Sequence, residues 1–111
     1  MISLDKVLET EFSEDFVKKM RNRMIVSFYK YGPIATAYPN KLDAIKSSLA
    51  RITKYHETSN MEYLVDAANF LMIEFMRPSK HDAFFRAEGS EQSPGRVDKD
   101  GVATKSTNSN I

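Results

Sequence analysis

Apolar residues recur along this chain at helical spacing. Leu4, Val7 and Leu8 predict a short first helix over about residues 3–10. Ser13 stands before Glu14 and Asp15, a hydroxyl N-cap followed by acids that suit the positive end of a helix. Phe16, Met20, Met24 and Phe28 then recur every four residues, with Val17 and Tyr31 beside them, until Gly32-Pro33 stops the helix. Residues 33–39 read as a loop, and Asn40 as the cap of the next helix. In that helix Leu42, Ile45, Leu49 and Ile52 are spaced three, four and three, a seam suited to a neighbouring helix. Lys41, Lys46, Ser47, Ser48 and Lys54 fall mostly off the seam. Ser59 with Glu62 has the form of a capping box opening the next element, residues 59–78, SNMEYLVDAANFLMIEFMRP. That stretch is apolar on nearly every side, which predicts burial.

Beyond Pro78, residues 79–86 are expected to add one or two turns that seat Phe84 and Phe85 on the body. From about Gly89 the chain is rich in Gly, Ser, Asn and charge, and too poor in apolar residues to hold itself in place. The expectation is an all-α fold: a small bundle of three main helices with short extra turns, a helical domain over residues 1–88, and a flexible tail over 89–111 with no strand.

Composition narrows the function classes. The 111 residues include no cysteine, which removes disulfides, thiolate chemistry and cysteine-ligated zinc. No stretch approaches the ~18 apolar residues of a membrane span, and the N-terminus lacks the apolar run of a secretory signal. A cytoplasmic protein without membrane attachment is expected. The net charge of +1 conceals three blocks. Residues 1–17 carry five acids and one base, residues 18–54 nine bases and one acid, and residues 55–100 nine acids and five bases. The basic middle block is either a phosphate-binding face or a set of partners for its acidic flanks.

Candidate chemistry centres on the apolar helix. Glu62, Asp66 and Asn69 share one face, and buried polar groups need partners. They could hold a divalent metal, recognise a base or sugar edge, or orient a cation from the second helix, where Arg21, Arg23 and Lys30 are candidates. The structural alternative makes Glu62 a cap, Asp66 half of a buried ion pair and Asn69 a bond to loop backbone. Glu74, close to the C-terminal end of its helix, needs a partner such as Arg77, His81 or a base from another helix. In residues 28–33, FYKYGP, Lys30 and Tyr31 could stack a base and hold a phosphate, or Phe28 and Tyr31 could be core. His56 and His81 have no second histidine at ligand spacing, and no GxSxG, Walker A, HExxH or GxGxxG motif occurs.

Residues 31–39 (YGPIATAYP), 60–78 (NMEYLVDAANFLMIEFMRP) and 93–96 (SPGR) together resemble a family of small helical proteins from phages and bacterial mobile elements. The resemblance spans roughly residues 16–96 and implies relatives rather than a reaction. The acid-bearing helix also resembles MazG-like nucleotide pyrophosphohydrolases, whose paired EExxE-type and ExxD helices hold Mg²⁺ on a nucleoside triphosphate. Glu62 and Asp66 would stand for the second motif, at a spacing of four rather than three, and the preceding helix offers only Asp43.

The leading expectation is a non-catalytic, self-associating helical module without a cofactor, binding a protein partner or a nucleotide-like ligand through Glu62, Asp66, Asn69, Arg21, Lys30 and Tyr31. One alternative is a Mg²⁺-dependent pyrophosphohydrolase of the MazG type. Another is a nucleic-acid binder using Lys18, Lys19, Arg21, Arg23 and Lys30 along one helix.

Overall fold

A computed structural model describes residues 1–38 and 40–101, together with the backbone of 103–104. Four helices account for most of it: α1 (Leu4–Glu11), α2 (Glu14–Tyr31), α3 (Ala44–Thr58) and α4 (Glu62–Met76), with a 3-10 turn at Ile34–Thr36 between α2 and α3. The chain divides into two compact units, Met1–His81 and Asp82–Ile111. All four helices belong to the first, and the division falls earlier than the change in composition at Gly89.

The first two helices start and stop where the sequence predicts. Ser3 caps α1 by accepting the Lys6 N–H at 3.3 Å, and Ser13 caps α2 by accepting the Phe16 N–H at 3.0 Å. Gly32 ends α2 at φ 84°, a conformation that glycine adopts without steric cost, and donates its N–H to the Phe28 carbonyl at 2.8 Å.

Two other caps differ from expectation. Asp43, not Asn40, caps α3, accepting the Lys46 N–H at 2.9 Å. The helix starts late because the backbone before it is turned back on itself, with Tyr38 N–H on Ile34 O at 2.8 Å and Lys41 N–H on Ala37 O at 2.7 Å. At the other end, Ser59 is not the first half of a capping box. It ends α3 in the left-handed region at φ 60°, and Asn60 accepts the Glu62 N–H at 3.0 Å instead. That left-handed turn reverses the chain within a few residues, so α3 and α4 pack as a helical hairpin.

The hairpin is built on small residues. Ala44, Ser48 and Ala67 are buried, and the Ser48 hydroxyl donates to the Ala67 carbonyl at 3.0 Å. Small side chains let two helices approach closely, and the hydroxyl reaches a carbonyl across the gap. This corrects the expected packing of α3. The seam of Ile45, Leu49 and Ile52 does not face its neighbour; these residues are 43%, 58% and 38% exposed.

Tyr38 lies in the connection between α2 and α3, as expected, and belongs to the core. It is buried with Ala44 and Ile73, and Met24, Ile34, Leu42 and Phe70 pack against that cluster. The helix α4 buries only Val65, Ala67, Asn69 and Ile73. Leu71 and Met76 are exposed, contrary to the expectation of burial all round, because α2 and α3 cover two sides of the helix. On α2, Phe16, Val17, Met20 and Met24 are half-buried as the four-residue spacing predicts, but Phe28 and Tyr31 are exposed rather than core.

In the second unit, β1 (Arg96–Val97) pairs antiparallel with β2 (Ala103–Thr104). The connecting turn is fixed by the Gly101 N–H on Asp98 O at 3.0 Å and the Asp100 N–H on Asp98 Oδ1 at 2.9 Å. This small hairpin corrects the expectation of no strand. Residues 79–82 make a bend and a turn and 83–86 are irregular, and Phe84 and Phe85 are exposed rather than seated on the body. Residues 105–111 of the expected flexible tail lie outside the described residues.

Candidate functional site

The C-terminal half of α2, the 3-10 turn, α3 and α4 surround a cleft of about 500 Å³. Each wall is placed by a local feature already described. The last turn of α2 supplies Lys30 and Tyr31, and the turned-back segment before Asp43 supplies Lys41 and Leu42. Arg51 follows Ser48 by one helical turn, on the same side of α3 as the small residues, so it reaches inward rather than to solvent. Its guanidinium lies 4.6 Å from the centre of the Phe70 ring, a cation–π contact that holds the planar group against α4. The floor is apolar, with Met24, Ile34, Leu42, Phe70 and Ile73.

The charge of the cleft is one-sided. Arg23, Lys30, Lys41 and Arg51 line it against the single acid Asp66. Arg23 is committed: it lies 3.5 Å from Asp66 and 3.4 Å from Glu62. Lys30, Lys41 and Arg51 have no carboxylate partner among the described residues. Lys30 instead sits 5.2 Å from the centre of the Tyr31 ring. A concave site with three unmatched cations concentrates anions.

Asn69 is the deepest polar group in the cleft wall, 5% exposed. Its amide nitrogen donates to the Met20 carbonyl of α2 at 3.1 Å, joining the two helices. Its carbonyl oxygen is buried and accepts no hydrogen bond from the protein. An acceptor in that state costs free energy unless something else donates to it.

The predicted site residues separate. Asp66, Asn69, Lys30 and Tyr31 meet in the cleft. Glu62 lines a second, mostly apolar groove of about 450 Å³ between the start of α4 and the N-terminal half of α2, which it shares with Arg23, Phe16 and Val65. Arg21 is exposed and lines neither. Of the three cations proposed to meet the α4 acids, Arg23 does so. Glu74 meets neither Arg77 nor His81; its carboxylate accepts the Ser79 N–H at 2.9 Å and the Ser79 hydroxyl at 3.1 Å, closing the turn after Pro78. Sequence reasoning missed Lys41, Arg51 and Phe70. Arg51 carried a readable signal, standing seven residues after Ala44 and three after Ser48, on the stripe of small residues.

The five bases proposed to follow a nucleic-acid backbone are divided. Lys19 is held by Asp15 at 2.6 Å, and Arg23 by Asp66 and Glu62. At helical rotation Lys19, Arg23 and Lys30 share one side of α2, while Lys18 and Arg21 lie on another.

Among the described residues no group of three or more His, Asp or Glu side chains stands together. No helix there is long and apolar enough to cross a membrane. No protein-family model matches the chain, and neither a curated protein nor a solved structure matches it.

Proposed function

We infer that this chain is a non-catalytic binding module whose cleft takes an anionic, nucleotide-like ligand. The observation that carries the reading is the pairing of three unmatched cations with the unsatisfied Asn69 oxygen on one apolar floor. Lys30, Lys41 and Arg51 suit phosphate oxygens. Tyr31 suits the face of a ring, and the Asn69 oxygen suits an N–H on its edge.

This reading is favoured over Mg²⁺-dependent hydrolysis because Asp66 and Glu62, the two acids that chemistry would need, are both turned to Arg23. A phage or mobile-element setting is part of the same proposal and is supported by the resemblance of residues 31–39, 60–78 and 93–96 alone. A cytoplasmic location goes with this ligand class. Self-association belongs to a different face of the molecule.

The test is a panel of nucleoside mono-, di- and triphosphates, with and without Mg²⁺, scored by thermal shift and calorimetry. At ~100 times its dissociation constant a true ligand stabilises the fold by about 2.7 kcal/mol. Binding should survive chelation of divalent ions and be lost in Arg51→Glu. A panel that leaves the melting curve of the wild-type chain unmoved ends this reading, and turnover that requires Mg²⁺ replaces it with the hydrolase.

A further inference from the structure

The cleft occupies one side of the α3–α4 hairpin, and the other side is apolar. Arg51 and Phe70 point toward the cleft, Ala44, Ser48 and Ala67 toward the helix–helix contact. At about 100° per residue, Ile45, Leu49 and Ile52 fall on the edge of α3 turned away from the cleft, and Leu64, Ala68 and Leu71 fall on the matching edge of α4. Four of these residues, Ile45, Leu49, Ile52 and Leu71, are 38–58% exposed.

We propose that this face binds a second copy of the same chain, two hairpins meeting to form a four-helix bundle about a two-fold axis. Three observations choose that occupant. The spacing of Ile45, Leu49 and Ile52 at four and three is the repeat of a seam that packs on another helix, while Leu42, before the cap of α3, belongs to the cleft floor. An antiparallel pairing of α3 with its copy, centred between Ala50 and Arg51, sets Leu49 opposite Ile52 of the partner subunit. That register also brings Lys46, which has no carboxylate partner among the described residues, within two residues of Glu57 of the partner subunit at both ends of the seam, where it would compete with the exposed pair that Glu57 makes with Lys54 of its own chain at 3.5 Å. The patch also fits. An interface of ordinary size buries ~800 Å² per partner, a little over half of it apolar, and Ile45, Leu49, Ile52 and Leu71 form a contiguous apolar centre for one. The surface is separate from the cleft, and the proposal does not depend on what the cleft holds.

The experiment is sedimentation velocity on the full chain across a concentration series, with helicity followed by circular dichroism. The wild-type chain is expected to dimerise reversibly with a dissociation constant of order micromolar. Leu49→Lys should keep its helicity and weaken the dimer by about 100-fold or more, since it sets two desolvated charges into the seam. Lys46→Glu and Glu57→Lys should each weaken association about 3- to 10-fold, and the double charge swap should restore it, which a merely unfolded variant cannot do. A chain that stays monomeric to about 100 μM overturns the proposal. So does a dimer indifferent to Leu49→Lys, or a double swap no better than its single parents.

Discussion

Asn69→Leu separates a binding site from a structural lock. The side chain is 5% exposed in the middle of α4, with its nitrogen bonded to Met20 O at 3.1 Å and its oxygen bonded to nothing in the protein. Leucine has the same branched skeleton. The substitution deletes one neutral hydrogen bond, a loss of about 1 kcal/mol. The Met20 carbonyl is not orphaned, because it sits inside α2 and keeps its helical acceptor role. Against that loss, removing a buried acceptor with no donor recovers roughly 1–3 kcal/mol. Leucine also exceeds asparagine in helix propensity by up to about 0.5 kcal/mol and adds apolar contact. The expected result is a gain of about 1–2 kcal/mol in urea denaturation, read as a higher midpoint at unchanged slope. On a domain this size that raises Tm by about 4–8 °C per kcal/mol. Ligand binding in the cleft should fall in the same variant. A loss of 2 kcal/mol or more would refute the reasoning, because it would mean that the carboxamide is a fully satisfied joint between α2 and α4.

Three further outcomes follow from the packing and caps. Ser48→Leu puts a large side chain where the residue is 1% exposed, between two helices spaced for serine, and should cost about 1–3 kcal/mol by overpacking, with broadened near-ultraviolet dichroism as the readout. Asp43→Ala removes the cap of α3 and should cost about 1 kcal/mol in denaturant melts, while Asn40→Ala changes stability by under about 0.5 kcal/mol; equal effects would return the cap to Asn40. Lys19, by hydrogen bond and charge, holds the Asp15 carboxyl below its ordinary range. A lowered folded pKa stabilises above the unfolded value and the benefit disappears as pH falls through the folded one, so the wild-type advantage over Asp15→Asn should vanish on acidification below pH ~4, and should also shrink with added salt because the pair is exposed.

Much of the fold was legible because helical period and hydroxyl or glycine caps are local signals. Ser13, Gly32 and the four-residue spacing on α2 all describe what the backbone does within one turn. The face that α3 buries was not legible, because apolarity pointed to Ile45 and Leu49 while packing chose Ala44 and Ser48. Hydrophobicity ranks side chains one at a time, whereas close approach of two helices is decided by the size of both partners. The same blindness hid Arg51 and Lys41, which read as surface bases until the hairpin and the turned-back segment carried them to a shared cleft. Asp66 and Asn69 were legible because polar atoms in an apolar helix require partners wherever the rest of the chain goes.

The left-handed Ser59 between α3 and α4 has a consequence for the order in which the molecule assembles. It joins two helices through a connection of a few residues, so their mutual contacts close short loops and form with little entropic delay. By contrast α2 docks on α4 across a long separation, as in the bond from Asn69 to Met20. The hairpin is therefore the natural nucleus. Of the two helices that precede it, α2, which docks on α4, joins after the hairpin forms and leaves before it opens, while α1 buries no residue. Native-state hydrogen exchange should find α2 amides opening at lower free energy than those of Ala44–Thr58 and Glu62–Met76. Because Lys30 and Tyr31 travel with α2, the cleft would then open and close with its docking, its open form being a half-assembled state of the protein rather than a finished one.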